Sequence, residues 1–258
     1  MDGMTDSEQL NNGIRFLDLR VEKTGDILRL VHARAKCYKT AEKKEPLLLE
    51  DVISDCKKFL DSHPSEAIIV SIKRDAGASS AKTFKTFFKH YLSKDIYWFT
   101  ENRIPVLREV RGKLVFFNRF EISENKKKYD DSNTGLNFSN WPDQSVYENF
   151  NNPFARTQME RRDKAFILPV ILQDFYKLSP SEKWEKAILP NLQTPPCRTG
   201  LFISFFSTGT FLKNPKRSAK HILKAFSDEE LQSMKKYGWM IFDFPTEKIC
   251  RKVVLTNF

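Results

Sequence analysis

Short runs of apolar, β-branched and aromatic residues punctuate the chain at 14–19, 28–31, 67–72, 114–117, 170–173, 201–206 and 240–244, and each predicts a strand. Most are nearly continuous in apolar character. Such runs mark strands covered on both faces, so a parallel sheet is expected in place of a sandwich with one wet side. Between them lie segments of helical period. Residues 49–60 set Leu49, Val52, Ile53, Cys56, Phe59 and Leu60 on one face and turn Glu50, Asp51, Asp55 and Lys57 outward, a three-turn amphipathic helix that Pro64 terminates. Further helices are predicted over 82–92 and 218–226, and a fourth from Asp228 to Gly238, where glycine suits a helix end.

This alternation of strand and helix predicts an α/β fold. A length of 258 residues suits a TIM-type (β/α) barrel, whose usual size is about 250 residues, although seven strands are recognised and not eight. The reading is one domain over 1–258, incomplete at its N-terminus by one βα unit. Residues 123–152, rich in Asn, Asp, Ser and Lys and without period, form a long surface loop within it.

Composition narrows the choice of function. Hydrophobic residues make up 40% and 22 phenylalanines are present, enough for a packed core. No apolar stretch is long enough to span a bilayer, and MDGMTDSEQLNNG lacks the basic start and apolar centre of an export signal. The net charge of +10 is concentrated beyond residue 150, where 18 basic residues face 10 acidic ones. Lys213, Lys216, Arg217, Lys220 and Lys224 recur at helical spacing there. They predict a solvated helix face or, more sharply, one that meets an anionic membrane surface. Phe205, Phe206 and Phe211 are read as core residues, with entry into a lipid interface as the alternative. Cys37, Cys56, Cys197 and Cys250 are too scattered for a zinc or redox motif. No phosphate-binding glycine loop, His-Glu-x-x-His or nucleophile elbow is present, and no nucleic-acid motif accompanies the basic surface.

The candidate chemistry sits at strand ends. Arg20, His32, Lys73, Arg119, Asp174 with Tyr176, and Asp243 each follow or end an apolar run. In a barrel such positions converge on one mouth, and this set suits an anionic, hydroxyl-rich substrate with a histidine for proton transfer. Asp18 and Asp75 are the nearest approach to a carboxylate set, and ion pairing with Arg20 or Arg74 explains them equally well. No metal or cofactor is expected.

The ordered segments QLNNGIRFLDLR, LRLVHA, FLDSHPSEAIIVSIKRD, IPVLREVRGKLVFFNRF, WPD, LQDFYKL and GWMIFDFP resemble the X domain of bacterial phosphatidylinositol-specific phospholipase C. That resemblance implies metal-independent cleavage of phosphatidylinositol by its own inositol hydroxyl, giving diacylglycerol and a cyclic inositol phosphate. It implies His32 as general acid, Arg20 as the stabiliser of phosphoryl charge with Asp18 beside it in the catalytic set, and Asp243 as the carboxylate that orients the general base. Lys73, Arg119 and Asp174 match positions that bind inositol hydroxyls, and Tyr176 matches the aromatic residue against the ring. It also implies a secreted monomer at a membrane surface. The family's general base, a histidine of a His-Asp pair on the first strand, has no counterpart here: His63, His90 and His221 fall on a loop or on helices, and the chain starts eight residues before Gln9. The expectation is a chain begun at an internal methionine, since Asp243 without its partner would only cost stability. The alternatives are a catalytically silent inositol-lipid binder and a metal-dependent glycerophosphodiesterase-like barrel.

Overall fold

In the computed structural model the first two predicted strands are the two arms of one hairpin. Strand β1 (Phe16–Thr24) turns through Gly25 and Asp26 into β2 (Ile27–His32), which runs antiparallel to it with Val21 opposite Leu30 and Thr24 opposite Ile27. This corrects the expectation of a parallel strand at 28–31. A short β3 (Ala35–Lys36) pairs antiparallel with β2. The structure describes residues 4–33, 35–40, 42–93, 95–122, 129–143, 155–157, 170–193, 200–209, 214–233, 235 and 237–258, which divide into two compact units.

The first unit holds α1 (Asp6–Asn11), the hairpin, α2 (Leu49–Ser62), β4 (Ala67–Gly77), α3 (Ser80–Phe87), β5 (Trp98–Phe99), α4 (Leu107–Val110), β6 (Lys113–Asn118) and β7 (Leu136–Asn137). Its seven strands form one sheet in the order β3-β2-β1-β4-β6-β5, with β7 also on β6; β1, β4, β5, β6 and β7 are mutually parallel. Helix α2 buries the six apolar residues that its period foretold. Asp51 accepts a hydrogen bond from the Leu48 N–H at 2.9 Å to close its start, and His63 stacks on Phe59 at its end. Each of those side chains contributes about 2 kcal/mol on burial, so the face and not the intrinsic propensity of the sequence holds the helix. Helix α3 continues as a π-helical turn over Phe88–Leu92. Phe84, Phe87, Trp98, Phe116, Phe120 and Tyr129 form one aromatic cluster under the sheet.

Part of the stretch read as a surface loop is core. Tyr129, Leu136 and Phe138 are at most 2% exposed, and β7 docks on β6 through Gly135, where a side chain would lie 2.5 Å from the Phe116 carbonyl. Residues 123–128 and 144–152 of that stretch lie outside the described residues.

The second unit contains a four-stranded sheet in the order β11-β10-β9-β8. Its strands are β8 (Ala155–Thr157), β9 (Val170–Gln173), β10 (Leu201–Phe205) and β11 (Trp239–Ile241); β9, β10 and β11 are parallel and β8 is antiparallel. Helices α5 (Pro180–Lys183), α6 (Leu189–Gln193), α7 (Pro215–Asp228) and α8 (Glu247–Val254) belong to this unit, with a π-helical turn, Trp184–Ile188, joining the first two. The core gathers Ile188, Leu192, Phe206, Ile222, Phe226, Tyr237 and Ile249. Phe205 and Phe206 are 4% and 2% exposed, so neither enters a lipid interface; Phe211 lies outside the described residues.

In place of the helix expected over 228–238, α7 ends at Asp228 and the described residues beyond it are non-helical. Tertiary partners take the backbone groups that a helix would use. The buried Tyr237 hydroxyl accepts from the Gln232 N–H at 2.8 Å, and Lys252 of α8 donates to the carbonyls of Phe226 (2.8 Å), Ser227 (3.0 Å) and Glu229. Gly238 has φ +78 and leaves no room for a side chain against Phe202 of β10, so it marks a close approach and not a helix end. Replacing Lys252 with Met should strip the cation from the last carbonyls of α7 and lower stability by about 1–2 kcal/mol, read as an earlier urea midpoint; an unchanged midpoint would show that water replaces the ammonium without loss.

Among the described cysteines, Cys56 is buried and its thiol is pushed up to about 12 by burial and by the nearby Asp6 and Asp55 carboxylates. Burial also raises Cys37 and Cys250. These thiols are poor nucleophiles at neutral pH. Cys197 lies outside the described residues.

Candidate active site

The parallel register of β1, β4 and β6 sets the first unit's polar residues in rows. Asp18 is opposite Ser71, and Arg20 is opposite Lys73. Arg119 directly follows the last residue of β6, Asn118, which is opposite Ile72. Asp18 is the hub: its Oδ2 accepts from Arg20 Nη2 at 2.8 Å and Nε at 3.2 Å, and its Oδ1 accepts from Ser71 Oγ at 2.8 Å and Arg119 Nη1 at 3.5 Å. Burial works against its charge. The Arg20 and Arg119 guanidiniums, with the bonds from Arg20 and Ser71, outweigh that and hold the Asp18 carboxyl at about 2.

Asp75 closes the cluster through a break in the ladder. The pairing of β1 with β4 slips between Val21 and Glu22, because Val21 faces Arg74 while Glu22 faces Ala76. Asp75 is the extra residue of this bulge, and a bulge re-aims the side chain it carries. One Asp75 oxygen lies 3.5 Å from Arg20 Nη1, and the other accepts from the Ala33 N–H at 2.9 Å. Ala33 has φ 53 and follows His32. Continuing the hairpin register sets Val31 opposite Arg20 and His32 opposite Leu19, so the histidine lies one residue past the Arg20 pair on the return strand, next to the Ala33 N–H that Asp75 binds. His32 thus reaches the site by an antiparallel route, not as the end of a parallel strand. Its side chain is exposed.

Three cations, Arg20, Lys73 and Arg119, therefore surround two carboxylates, Asp18 and Asp75. Burial, with the positive field of Arg20 and Arg119, lowers the Lys73 ammonium, and the two carboxylates only partly offset this. A bound anion would relieve that field. The side chain of Arg119 is 2% exposed against 22% for Arg20, and its guanidinium stacks 3.9 Å above the Trp141 ring. Trp141 in turn packs edge-on to Phe117 and Phe138. The least accessible of the three cations thus shares a single carboxylate with Arg20.

Asp174, Tyr176 and Asp243 lie in the second unit. Asp174 follows β9, where the fully buried Gln173 donates to Ser204 Oγ and the Phe205 carbonyl, both at 3.0 Å, and accepts from the Phe175 N–H at 3.2 Å. That amide fixes the chain on either side of Asp174. The Tyr176 hydroxyl donates to Asp143 at 2.9 Å. Asp243 lies two residues past β11, and both Asp174 and Asp243 act electrostatically on Lys183, a buried lysine that donates to the Ser207 carbonyl at 2.6 Å.

The roles of Ser71, Trp141, Asp143 and Lys183 were not legible beforehand. Trp141 and Asp143 had a signal in the WPD segment. Ser71 and Lys183 had none, since a serine inside an apolar strand and a lysine in SEKWEK look ordinary. Among the described residues, no group of three His, Cys, Asp or Glu side chains is placed to hold a metal ion.

Residues 4–120 match the family model for phosphatidylinositol-specific phospholipase C, X domain. Over these residues the chain is similar to that X domain. The chain is 26% identical over 249 residues to 1-phosphatidylinositol phosphodiesterase of Staphylococcus aureus (strain Newman), covering 92% of this chain and 73% of that protein. It is 22% identical over 263 residues to 1-phosphatidylinositol phosphodiesterase of Listeria monocytogenes, covering 97% and 70%. A solved structure of the Staphylococcus aureus phosphatidylinositol-specific phospholipase C superposes with a TM-score of 0.73 at 20% identity, over 99% of this chain and 83% of that one. The Listeria monocytogenes enzyme gives 0.63 at 19% identity, over 99% and 82%. The fold is therefore the TIM-type α/β fold of the bacterial phospholipases C. The matched segment takes in Asp18, Arg20, His32, Ser71, Lys73, Asp75 and Arg119, whereas Asp174, Tyr176, Lys183 and Asp243 lie beyond it.

Proposed function

We propose that this chain cleaves phosphatidylinositol to diacylglycerol and a cyclic inositol phosphate. The observation that carries this reading is the cluster of Arg20, Lys73 and Arg119 around Asp18 and Asp75, one positive charge in excess, inside the segment similar to the X domain and beside an exposed histidine. An inositol hydroxyl passes its proton to solvent water as its oxygen attacks phosphorus, a new P–O bond closes the ring, and the P–O bond to diacylglycerol breaks, more slowly than with the family's histidine base, which has no counterpart here. His32 gives its proton to the departing glycerol oxygen. Arg20, held in plane by Asp18, presents N–H donors to the non-bridging oxygens as they gain charge. Lys73, Arg119 and Asp174 bind ring hydroxyls, Tyr176 packs against the ring, and Asp243 corresponds to the carboxylate that orients the base in the family. In this reading the whole chain is one catalytic domain, monomeric, and acts as a secreted enzyme on the membrane surface.

The test is incubation with phosphatidylinositol vesicles in the presence of a chelator, with phosphorus NMR of the products. Cyclic inositol phosphate is expected. Activity that the chelator abolishes would favour a metal-dependent phosphodiesterase, and vesicle binding without product would favour a silent lipid binder.

Approach to the membrane is assigned to α7. Asn214 caps this helix by accepting from the Lys216 and Arg217 N–H groups, and Ser218, Ala219, Ile222 and Phe226 turn inward. Lys216, Arg217, Lys220 and Lys224 are exposed on the other side; Lys213 lies outside the described residues. Each basic residue near an anionic surface contributes up to about 1 kcal/mol. Replacing the four with Gln should weaken sedimentation with anionic vesicles at least about tenfold, and added salt should do the same to the unaltered chain. Binding indifferent to salt would sink the electrostatic account.

A further inference from the structure

Lys183 is the one fully buried ammonium group among the described residues, and the mechanism above does not use it. Helix α5 aims it inward. Ser179 and Glu182 form a reciprocal cap in which the Glu182 N–H donates to Ser179 Oγ and the Ser179 hydroxyl donates to Glu182, and the Lys183 N–H then donates to the Ser179 carbonyl at 2.8 Å. The side chain runs to the loop after β10, where Nζ donates to the Ser207 carbonyl at 2.6 Å. That loop is stitched to both of its neighbours. The Phe206 N–H donates to the Ile241 carbonyl of β11, and the Gly209 N–H donates to the Tyr176 carbonyl after β9, each at 2.8 Å.

The ammonium therefore sits beneath three consecutive strand ends. Asp174 faces it electrostatically from the end of β9, Asp243 does so from the end of β11, and the end of β10 offers the Ser207 carbonyl. Helix α7 packs against α5, and its titratable group there, His221, meets Ser181 at 3.2 Å on the exposed side. A buried cation with one neutral acceptor is costly unless carboxylates compensate it. Two carboxylates at neighbouring strand ends are costly in turn unless a cation lies between them.

We propose that Lys183 is a positioning residue: its ammonium holds Asp174 and Asp243 as carboxylates and pins the loops that carry them to the loop after β10. The proposal rests on the reading of those two aspartates as substrate-facing groups, but its test needs no turnover. Burial lowers the Lys183 ammonium to about 8, while the two carboxylates act to raise it. Coupling of this kind is felt equally at both ends.

The experiment is a pH titration of the full chain carrying isotope-labelled aspartate carboxyls, followed by NMR, with the Asp174 and Asp243 signals assigned by D174N and D243N. In K183M, folded by circular dichroism, both midpoints should rise by about one pH unit or more. Midpoints that stay where they are in the unaltered chain would overturn the proposal, even if K183M loses activity, because a merely structural lysine would leave them unmoved. Should K183M fail to fold, the reciprocal measurement decides. The labelled Lys183 ammonium should lose its proton at lower pH in D174N and in D243N than in the unaltered chain, and an unmoved midpoint in both would overturn the proposal. Failure of phosphatidylinositol cleavage would leave these titrations intact, so the two readings fall separately.

Discussion

His32→Ala is expected to lower the turnover of phosphatidylinositol by about 10²–10⁴, the usual contribution of a positioned general acid, while leaving the fold intact. The side chain is exposed and is not part of the buried core, so its removal leaves no cavity. Its place is set by backbone, through the hairpin register and the Asp75 bond to the Ala33 N–H, and none of this depends on the imidazole. The loss should fall on kcat. A substrate with a better leaving group, such as a nitrophenyl ester of inositol phosphate, needs less protonation and should recover much of the rate. Equal loss on both substrates would show that His32 acts otherwise than as the acid for the leaving oxygen, and retained activity on phosphatidylinositol would remove it from the mechanism.

Asp18→Asn should have the largest effect on stability, about 2–3 kcal/mol near pH 7, together with a loss of activity. The substitution keeps the shape and the bond from Ser71 but leaves Arg119, nearly inaccessible to water, facing Arg20 and Lys73 without the central carboxylate. The pH dependence follows from the Asp18 carboxyl at about 2 in the folded chain, against about 3.9 when unfolded. A depressed carboxyl stabilises fully above its unfolded value, and that stabilisation disappears as pH falls through the folded one. The difference in stability between the unaltered chain and D18N should hence be level from pH 7 to about 4 and close only toward about 2. A difference that has already closed by about pH 5 would show that Asp18 is not the hub.

Apolar pattern revealed where strands lie but not which way they run. The run at 28–31 has the same character as its parallel neighbours, and only the two-residue turn at Gly25 and Asp26 makes it a return strand. His32 was expected at the end of a parallel strand, and the structure carries it on the antiparallel arm of a hairpin. Helix α2 was fully legible because one face carries its whole stabilisation. The segment after α7 was not, because Tyr237 and Lys252, distant in the chain or buried by tertiary contact, take its backbone groups. Strands β5 and β7 are two residues each, too short to show a period. Arg20, Lys73 and Arg119 were legible as charges at the ends of apolar runs, and in-register pairing of parallel strands brings such ends together. The bulge at Asp75 was beyond reach: no residue type demands one there, and a single slipped pair decides whether that carboxylate meets Arg20.

The hairpin that carries His32 offers a vantage point on the reaction. Its tip is open, with the Asp26 side chain 74% accessible and tied only loosely to Lys23 at 3.6 Å. A cysteine placed at Asp26 would be modified ahead of Cys37, Cys56 and Cys250, whose thiols burial makes sluggish. A fluorophore there rides on the same two strands as Arg20 and His32 without touching either, and could report in real time how closely that end of the sheet approaches a lipid surface.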